Sequence, residues 1–180
     1  MIKPTAGKVF VLSVLISMVA GCSKKQADYG YAPQFTLPDV TGSQVSLTDF
    51  KGKVVIVDFW ATWCPGCVAE MPHFVELYDK YKQQGFEMIG MSLDEGGAKD
   101  VKPFLQKKPV NYTILIANMD VSNRYKTKGL LPTTFVIDKT GKIRQKYVGY
   151  RDKAVFEKDI KAMLSETIES LQAARDKEDQ

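Results

Sequence analysis

Residues 54–67 read VVIVDFWATWCPGC. The first seven, Val54 to Trp60, are β-branched or aromatic apart from Asp58. A continuous run of that kind predicts a central strand buried on both faces. After Cys67 the apolar residues Val68, Met71, Val75 and Tyr78 recur at helical spacing, with Phe74, Leu77 and Tyr81 beside them. Gly85 supplies a stop. Pro72 falls inside this helix and is expected to kink it, because it cannot donate to the carbonyl of Val68. Cys64 and Cys67 therefore sit where a buried strand turns into a helix.

That junction decides between three uses for two closely spaced thiols. A stabilising disulfide gains most from closing a long loop, and two intervening residues close almost nothing. A structural zinc site takes four ligands, and with Cys22 set aside as the lipidation site read below, only these two thiols and one histidine, His73, are on offer. A redox pair fits best. The first turn of a helix presents unpaired N–H groups and a partial positive charge, and both favour a thiolate. Pro65 at the first helical position loses no needed donor, and Gly66 leaves the approach to sulfur open. Cys64 would attack and Cys67 would resolve the mixed disulfide.

Outward from this junction the elements alternate. Residues 35–53 hold two short alternating segments about Thr41-Gly42, a predicted hairpin. Strands are expected at 86–93, 112–117, 133–138 and 143–149, and helices at 97–107 and 121–128. One long amphipathic helix is expected from Asp152 through Leu171. The pattern is α/β, a mixed central sheet flanked by helices with an N-terminal β-hairpin extension. The 180 residues suit one domain, with 44% hydrophobic and 26% charged residues. The net charge of +4 is mild, and Lys3 and Lys8 are the only charges among the first 21 residues. No basic stripe interleaved with aromatics is present, so nucleic acid is not an expected partner.

The N-terminus reads as an export signal. Two lysines precede an apolar run over residues 9–20, the length of a signal-peptide core and too short to span a membrane. Val19-Ala20-Gly21-Cys22 resembles the bacterial lipobox, which implies cleavage after residue 21 and lipidation of Cys22. Ser23 would then direct the lipoprotein to the outer membrane of a Gram-negative cell. The expected organisation is a signal peptide (1–21), a tether (22–32), the domain (33–174) and a charged tail (175–180). With Cys22 lipidated, Cys64 and Cys67 have only each other, in a compartment that permits disulfides.

Val57-Asp58-Phe59-Trp60-Ala61, Trp63, Cys64 and Cys67 resemble the thioredoxin active-site segment. The run from Leu47 to Val55 (LTDFKGKVV) and Leu131-Pro132-Thr133-Thr134-Phe135-Val136-Ile137-Asp138 narrow the likeness. Together they resemble the membrane-anchored thioredoxin-like family typified by TlpA and ResA, over roughly residues 33–171. The resemblance implies a thioredoxin-like fold and thiol-disulfide exchange with protein substrates. It implies that the peptide bond before Pro132 is cis, beside the cysteines, with the Leu131 backbone pairing with a bound substrate. Trp63 and Pro65 are further expected substrate contacts. Asp58 matches the buried aspartate of thioredoxins that relays a proton to the resolving cysteine, and Glu70 matches a glutamate near the thiols in ResA-like proteins. The chain departs from the pattern in Gly129-Leu130-Leu131-Pro132, where relatives commonly place one residue between glycine and proline.

Negative charge near a thiol raises its pKa and destabilises the reduced form. Asp58 and Glu70 therefore point to a reductant. The family suggests apocytochrome c as client, a membrane thiol donor as electron source, a monomer, and no cofactor or metal. The competing readings are a disulfide oxidase or isomerase, and a copper-handling module, since Cu(I) prefers soft thiolates. Related copper binders use wider cysteine spacing and a distant histidine, which His73 is not. The proline and threonine pattern ahead of a peroxidatic cysteine is missing.

Overall fold

The computed structural model describes residues 28–178. The expected signal peptide, the lipidation site Cys22 and most of the tether lie outside the described residues. A small antiparallel hairpin comes first, β1 (Thr36–Pro38) against β2 (Gln44–Ser46). Asp39 ties its turn, its Oδ1 accepting from the N–H groups of Thr41 at 2.7 Å and Ser43 at 3.0 Å. The main sheet has five strands in the order β5-β4-β3-β6-β7. These are β3 (Val54–Trp60), β4 (Phe86–Ser92), β5 (Thr113–Ile116), β6 (Thr133–Ile137) and β7 (Ile143–Val148).

The apolar run at 54–60 forms the middle of this sheet, and every residue of β3 is buried. It pairs in parallel with β4 and antiparallel with β6. Its alternate side chains feed two cores. Val54, Ile56 and Trp60 pack beneath α1 (Pro65–Tyr81), α2 (Ala98–Lys107) and α4 (Lys153–Ser165). Val55, Val57 and Phe59 pack beneath α3 (Met119–Arg124), Leu37 of the hairpin and Leu47 just after it. This is the thioredoxin-like α/β fold, with the expected mixed sheet and N-terminal hairpin.

Several elements differ from the sequence reading. The single helix expected from Asp152 is two, α4 and α5 (Ile168–Glu178), divided where Glu166 turns to an extended ψ of 140°. Lys139 Nζ donates to the Leu164 and Glu166 carbonyls at 2.8 and 2.6 Å, satisfying acceptors that a helix end exposes. Thr167 then caps the next helix, its Oγ1 accepting from Ser170 N–H at 3.2 Å. Helix α5 runs on into the segment read as a charged tail. Helix α3 starts and stops earlier than expected, because Asn118 Oδ1 caps Val121 N–H at 3.0 Å and Lys126 and Lys128 take positive φ. Helix α1 continues through Pro72, which lies on its exposed side. Residues 30–32, the end of the expected tether, dock on the β6–β7 turn, Ala32 N–H donating to Gly141 O at 2.9 Å.

Candidate active site

Cys64 and Cys67 form a disulfide with S–S 2.06 Å and Cα–Cα 5.3 Å. Cys64 is the N-cap of α1 and Pro65 its first residue. The Cys64 sulfur accepts from Cys67 N–H at 3.2 Å, so one orphan donor of the helix start already points at it. Both cysteines are buried and Cys67 is fully enclosed. Trp63, one residue earlier, is 68% exposed, while Trp60 at the end of β3 is core. Pro65 is exposed beside the pair.

The loop before β6 closes over this turn. The Leu131–Pro132 peptide is cis. A Cβ built on Gly66 would stand 3.5 Å from Pro132 Cδ and 3.9 Å from Tyr150 Cβ. Gly149 N–H donates to Pro132 O at 2.8 Å, tying the loop after β7 to the same place. Thr133 Oγ1 donates to Leu130 O at 2.6 Å. Leu130, the residue beyond the common spacing, is exposed, and Leu131 is half-buried. Trp63, Met119, Leu130 and Tyr150 are exposed large side chains; Trp63 and Met119 line one groove, and Tyr150 lies beside Gly66. A groove of about 660 Å³ runs between Trp63, Leu93, Asp94, Met119, Gly129 and Leu131.

The two expected acids both lie inside the protein. Asp58 is in β3, level with Gly90 of β4 and Thr134 of β6. Its Oδ1 accepts from Thr134 Oγ1 at 2.9 Å. Burial, with the charge of Glu70 adding to it, holds the Asp58 carboxyl well above its usual range, against the pull of Thr134. Glu70, one turn beyond Cys67 on α1, is fully buried. Burial pushes it up to about 7, opposed by the Arg151 N–H and the Arg151 charge. One Glu70 oxygen accepts from Arg151 N–H, and the other has no hydrogen-bond partner among the described residues. Both carboxyls act on the buried Tyr112, whose phenol is pushed upward by burial first and then by Asp58 and Glu70.

The structure adds residues that sequence reasoning missed. Asp94 follows β4 and is buried, and its carboxylate holds Thr62 just ahead of Trp63 and Cys64. Gly90 leaves the space that the Trp60 indole and Ile114 occupy. The Tyr150–Arg151 pair closes over Gly66 and Glu70 from the far end of the sheet. No local motif marks these; a glycine within the strand run at 86–93 and an acid just after it are the only signal. His73 is half-buried, with its ring 6.0 Å from that of Tyr150 and its Nδ1 without a hydrogen-bond partner among the described residues. Among the described residues, no three His, Cys, Asp or Glu are grouped as metal ligands.

Residues 30–146 match the AhpC/TSA family. The thiol-disulfide oxidoreductase ResA of Bacillus thuringiensis subsp. konkukian is 40% identical over 132 residues, 72% of this chain and 75% of the relative. ResA of Geobacillus kaustophilus is 38% identical over 133 residues, 73% of this chain and 75% of the relative. A Chlorobium tepidum protein assigned as the thiol:disulfide interchange protein DsbE superposes with a TM-score of 0.71 at 35% identity. That superposition covers 78% of this chain and 99% of the other.

Proposed function

From the premise that this chain belongs to the AhpC/TSA family and is a thiol-disulfide oxidoreductase of the ResA type, we propose that it runs as a reductant of protein disulfides in the cell envelope. The observation that carries the direction is Glu70, buried one turn beyond Cys67, with Asp58 buried on the strand leading to Cys64. A thiolate formed near carboxyls already held above their usual range meets a poorly solvated, negatively disposed interior. Its reduced form is then less stabilised and gives up electrons more readily.

In the proposed cycle the Cys64 thiolate, resting on the Cys67 N–H at the helix start, attacks one sulfur of a client disulfide. A mixed disulfide forms and one client thiolate leaves. The Cys67 thiol passes its proton to a carboxylate at Glu70 or Asp58 and attacks Cys64 Sγ. The second client thiolate leaves, and the Cys64–Cys67 disulfide remains. Two electrons have passed to the client, and a membrane thiol donor restores the dithiol. Leu131, Pro132, Trp63 and Pro65 form the face on which the client strand lies. Apocytochrome c is the proposed client, and the protein acts as a monomer held to the membrane through lipid on Cys22. Among the described residues no helix is long and apolar enough to cross a membrane.

The direction is tested by the reduction potential. A value well below about −180 mV supports the reductant, and one above it supports an oxidase or isomerase. Clients are identified by trapping. Cys67→Ala leaves the Cys64 adduct unresolved, and partners recovered through it should carry reducible disulfides. Catalysis of insulin reduction by dithiothreitol, set against Cu(I) titration of the reduced protein, separates exchange from copper handling. Cys22→Ser should release the protein from the membrane fraction.

A further inference from the structure

The Asp94 carboxylate accepts from three donors on the two loops beside the disulfide, Thr62 N–H, Thr62 Oγ1 and Ser92 Oγ, all of them uncharged. Its Oδ1 and Oδ2 each accept from Thr62 N–H at 3.1 Å. Oδ1 also accepts from Thr62 Oγ1 at 2.6 Å, and Oδ2 from Ser92 Oγ at 2.8 Å. Asp94 is 6% exposed and Ser92 is fully buried. The two loops are also joined by Leu93 N–H donating to Trp60 O at 2.9 Å. On the other side of Thr62, Cys64 N–H donates to Ala61 O at 3.1 Å, closing the turn that delivers Cys64 to the helix start. Asp94 N–H in turn donates to Ser92 Oγ at 3.2 Å, so the acid is itself held from two sides.

Each link has a physical reason. The chain leaves β3 at Trp60 and must turn within three residues to present Cys64 as an N-cap. Those residues lie outside sheet and helix, so their backbone donors need partners from elsewhere. A carboxylate takes several donors at once, and hydrogen bonds to it are stronger than neutral ones. Held this way, Thr62 cannot rotate without exposing a buried carboxylate. Trp63, next in the chain, is thereby fixed at the mouth of the groove that Asp94 also lines.

We propose that Asp94 is a positioning residue for thiol-disulfide exchange: through Thr62 it sets the turn that aims the Cys64 sulfur and holds Trp63 toward the client. It touches no reacting atom. The inference rests on the reading of Cys64 as the attacking thiol, and it adds a requirement from the loop after β4, 32 residues away in sequence.

The test compares Asp94→Ala, Asp94→Asn and Thr62→Val in the full chain. Asparagine can keep the arrangement, since its oxygen accepts from both Thr62 donors while its nitrogen donates to Ser92 Oγ, which can accept. The readouts are the apparent pKa of the Cys64 thiol, from thiolate absorbance of the reduced protein, and kcat and KM for insulin reduction. Asp94→Ala should raise the Cys64 pKa and lower kcat/KM about tenfold or more, as displacement of a reacting group does. Thr62→Val should fall between Asp94→Ala and the unaltered protein, and Asp94→Asn should recover to within about threefold. Asp94→Ala, or Thr62→Val if the alanine variant does not fold, giving unaltered pKa and kcat/KM overturns the proposal. So does Asp94→Asn as impaired as Asp94→Ala, which would mean that charge and not placement matters. Failure of the exchange reading looks different: the unaltered protein would not reduce insulin, and the thiol titration would still report on Asp94.

Discussion

Pro132 rests against Gly66, so close that a methyl group on the glycine would meet the proline ring in ordinary contact, 3.5 Å from Cδ. The second of the two residues between the cysteines and the residue just before β6 are 66 positions apart in sequence and form one surface. Gly66 has ordinary helical geometry and sits in the first turn of α1. Gly66→Ala should therefore raise stability by about 0.5 kcal/mol, because alanine lowers the entropy of the unfolded chain. Gly66→Val should be different. Its γ carbons would extend toward Pro132, Tyr150 and the path proposed for the client. The expected outcome is a fall in kcat/KM for insulin of roughly tenfold, expressed in KM, with reactivity toward a small disulfide retained. Equal losses on both substrates would show that the glycine serves the cysteines and not the client.

The buried Glu70 gives a pH dependence of definite sign. Its folded pKa is about 7, above its ordinary 4.5, so the fold prefers the neutral form. Its contribution to stability is present below about pH 4.5 and is lost as pH rises through 7. Asp58, also raised, acts in the same direction. Denaturant titration of the oxidised protein, in which the cysteines do not titrate, should show stability declining from pH 5 to pH 8. In Glu70→Gln the decline should flatten, with the variant gaining on the order of 1 kcal/mol relative to the unaltered protein at pH 8. A difference between the two that does not change with pH would remove Glu70 as a titrating group in this range.

The same charge should tune the sulfur. When ionised, Glu70 opposes a second negative charge at Cys64 or Cys67. Glu70→Gln should lower the thiol pKa values and shift the reduction potential upward by roughly 20–40 mV, a tenfold change in the exchange equilibrium being about 30 mV. The shift should be larger at pH 8 than at pH 6, since Glu70 ionises between them. Asp58→Asn should move the potential in the same direction. Thr134→Val, which removes the hydroxyl that stabilises the Asp58 carboxylate, should make Asp58 harder still to ionise. A potential that moves downward in Glu70→Gln would remove the ground on which a reductant is proposed.

What the sequence discloses and what it hides follow from the range of the forces involved. The run from Val54 to Trp60 marks a central strand because burial on both faces excludes polar residues locally, Asp58 alone excepted. The first turn of α1 is legible because Cys64 and Pro65 suit the positions of its cap and opening. The division between α4 and α5 escapes such reading, since Phe156, Ile160, Met163, Ile168 and Leu171 keep helical spacing across it. Only Thr167 and Ser170, a cap in the middle of the periodic stretch, betray the break, together with Lys139 reaching in from another turn. Asp94 is more deeply hidden. It looks like any loop acid until strand pairing brings it to Thr62. The burial of Glu70 depends on Arg151, 81 residues away, closing over it. Contacts across that separation leave no mark on local composition.

Gly90 is one such residue, and its consequence is open to measurement. It lies in β4, level with Asp58, with β5 on its other side. Its φ is not positive, so backbone strain does not select glycine here. Space does. A Cβ would stand 2.6 Å from Ile114 Cδ1, 3.0 Å from Trp60 Nε1 and 3.4 Å from Tyr112 Cε2. The end of the Ile114 side chain can rotate away. The Trp60 indole is fixed in the core, where its ring lies 5.5 Å from that of Phe104. Gly90→Ala should gain less than about 1 kcal/mol from the unfolded chain and lose about 1–3 kcal/mol to overpacking, for a net loss of stability. Because Trp60 leads into the turn carrying Thr62 and Cys64, the variant should also show altered tryptophan fluorescence and slower exchange at temperatures where it is fully folded. Adding Ile114→Val, which removes the Cδ1 methyl, should relieve the closest contact and recover part of the stability. If the double variant is no more stable than Gly90→Ala, crowding is not the cause, and the account of this glycine fails.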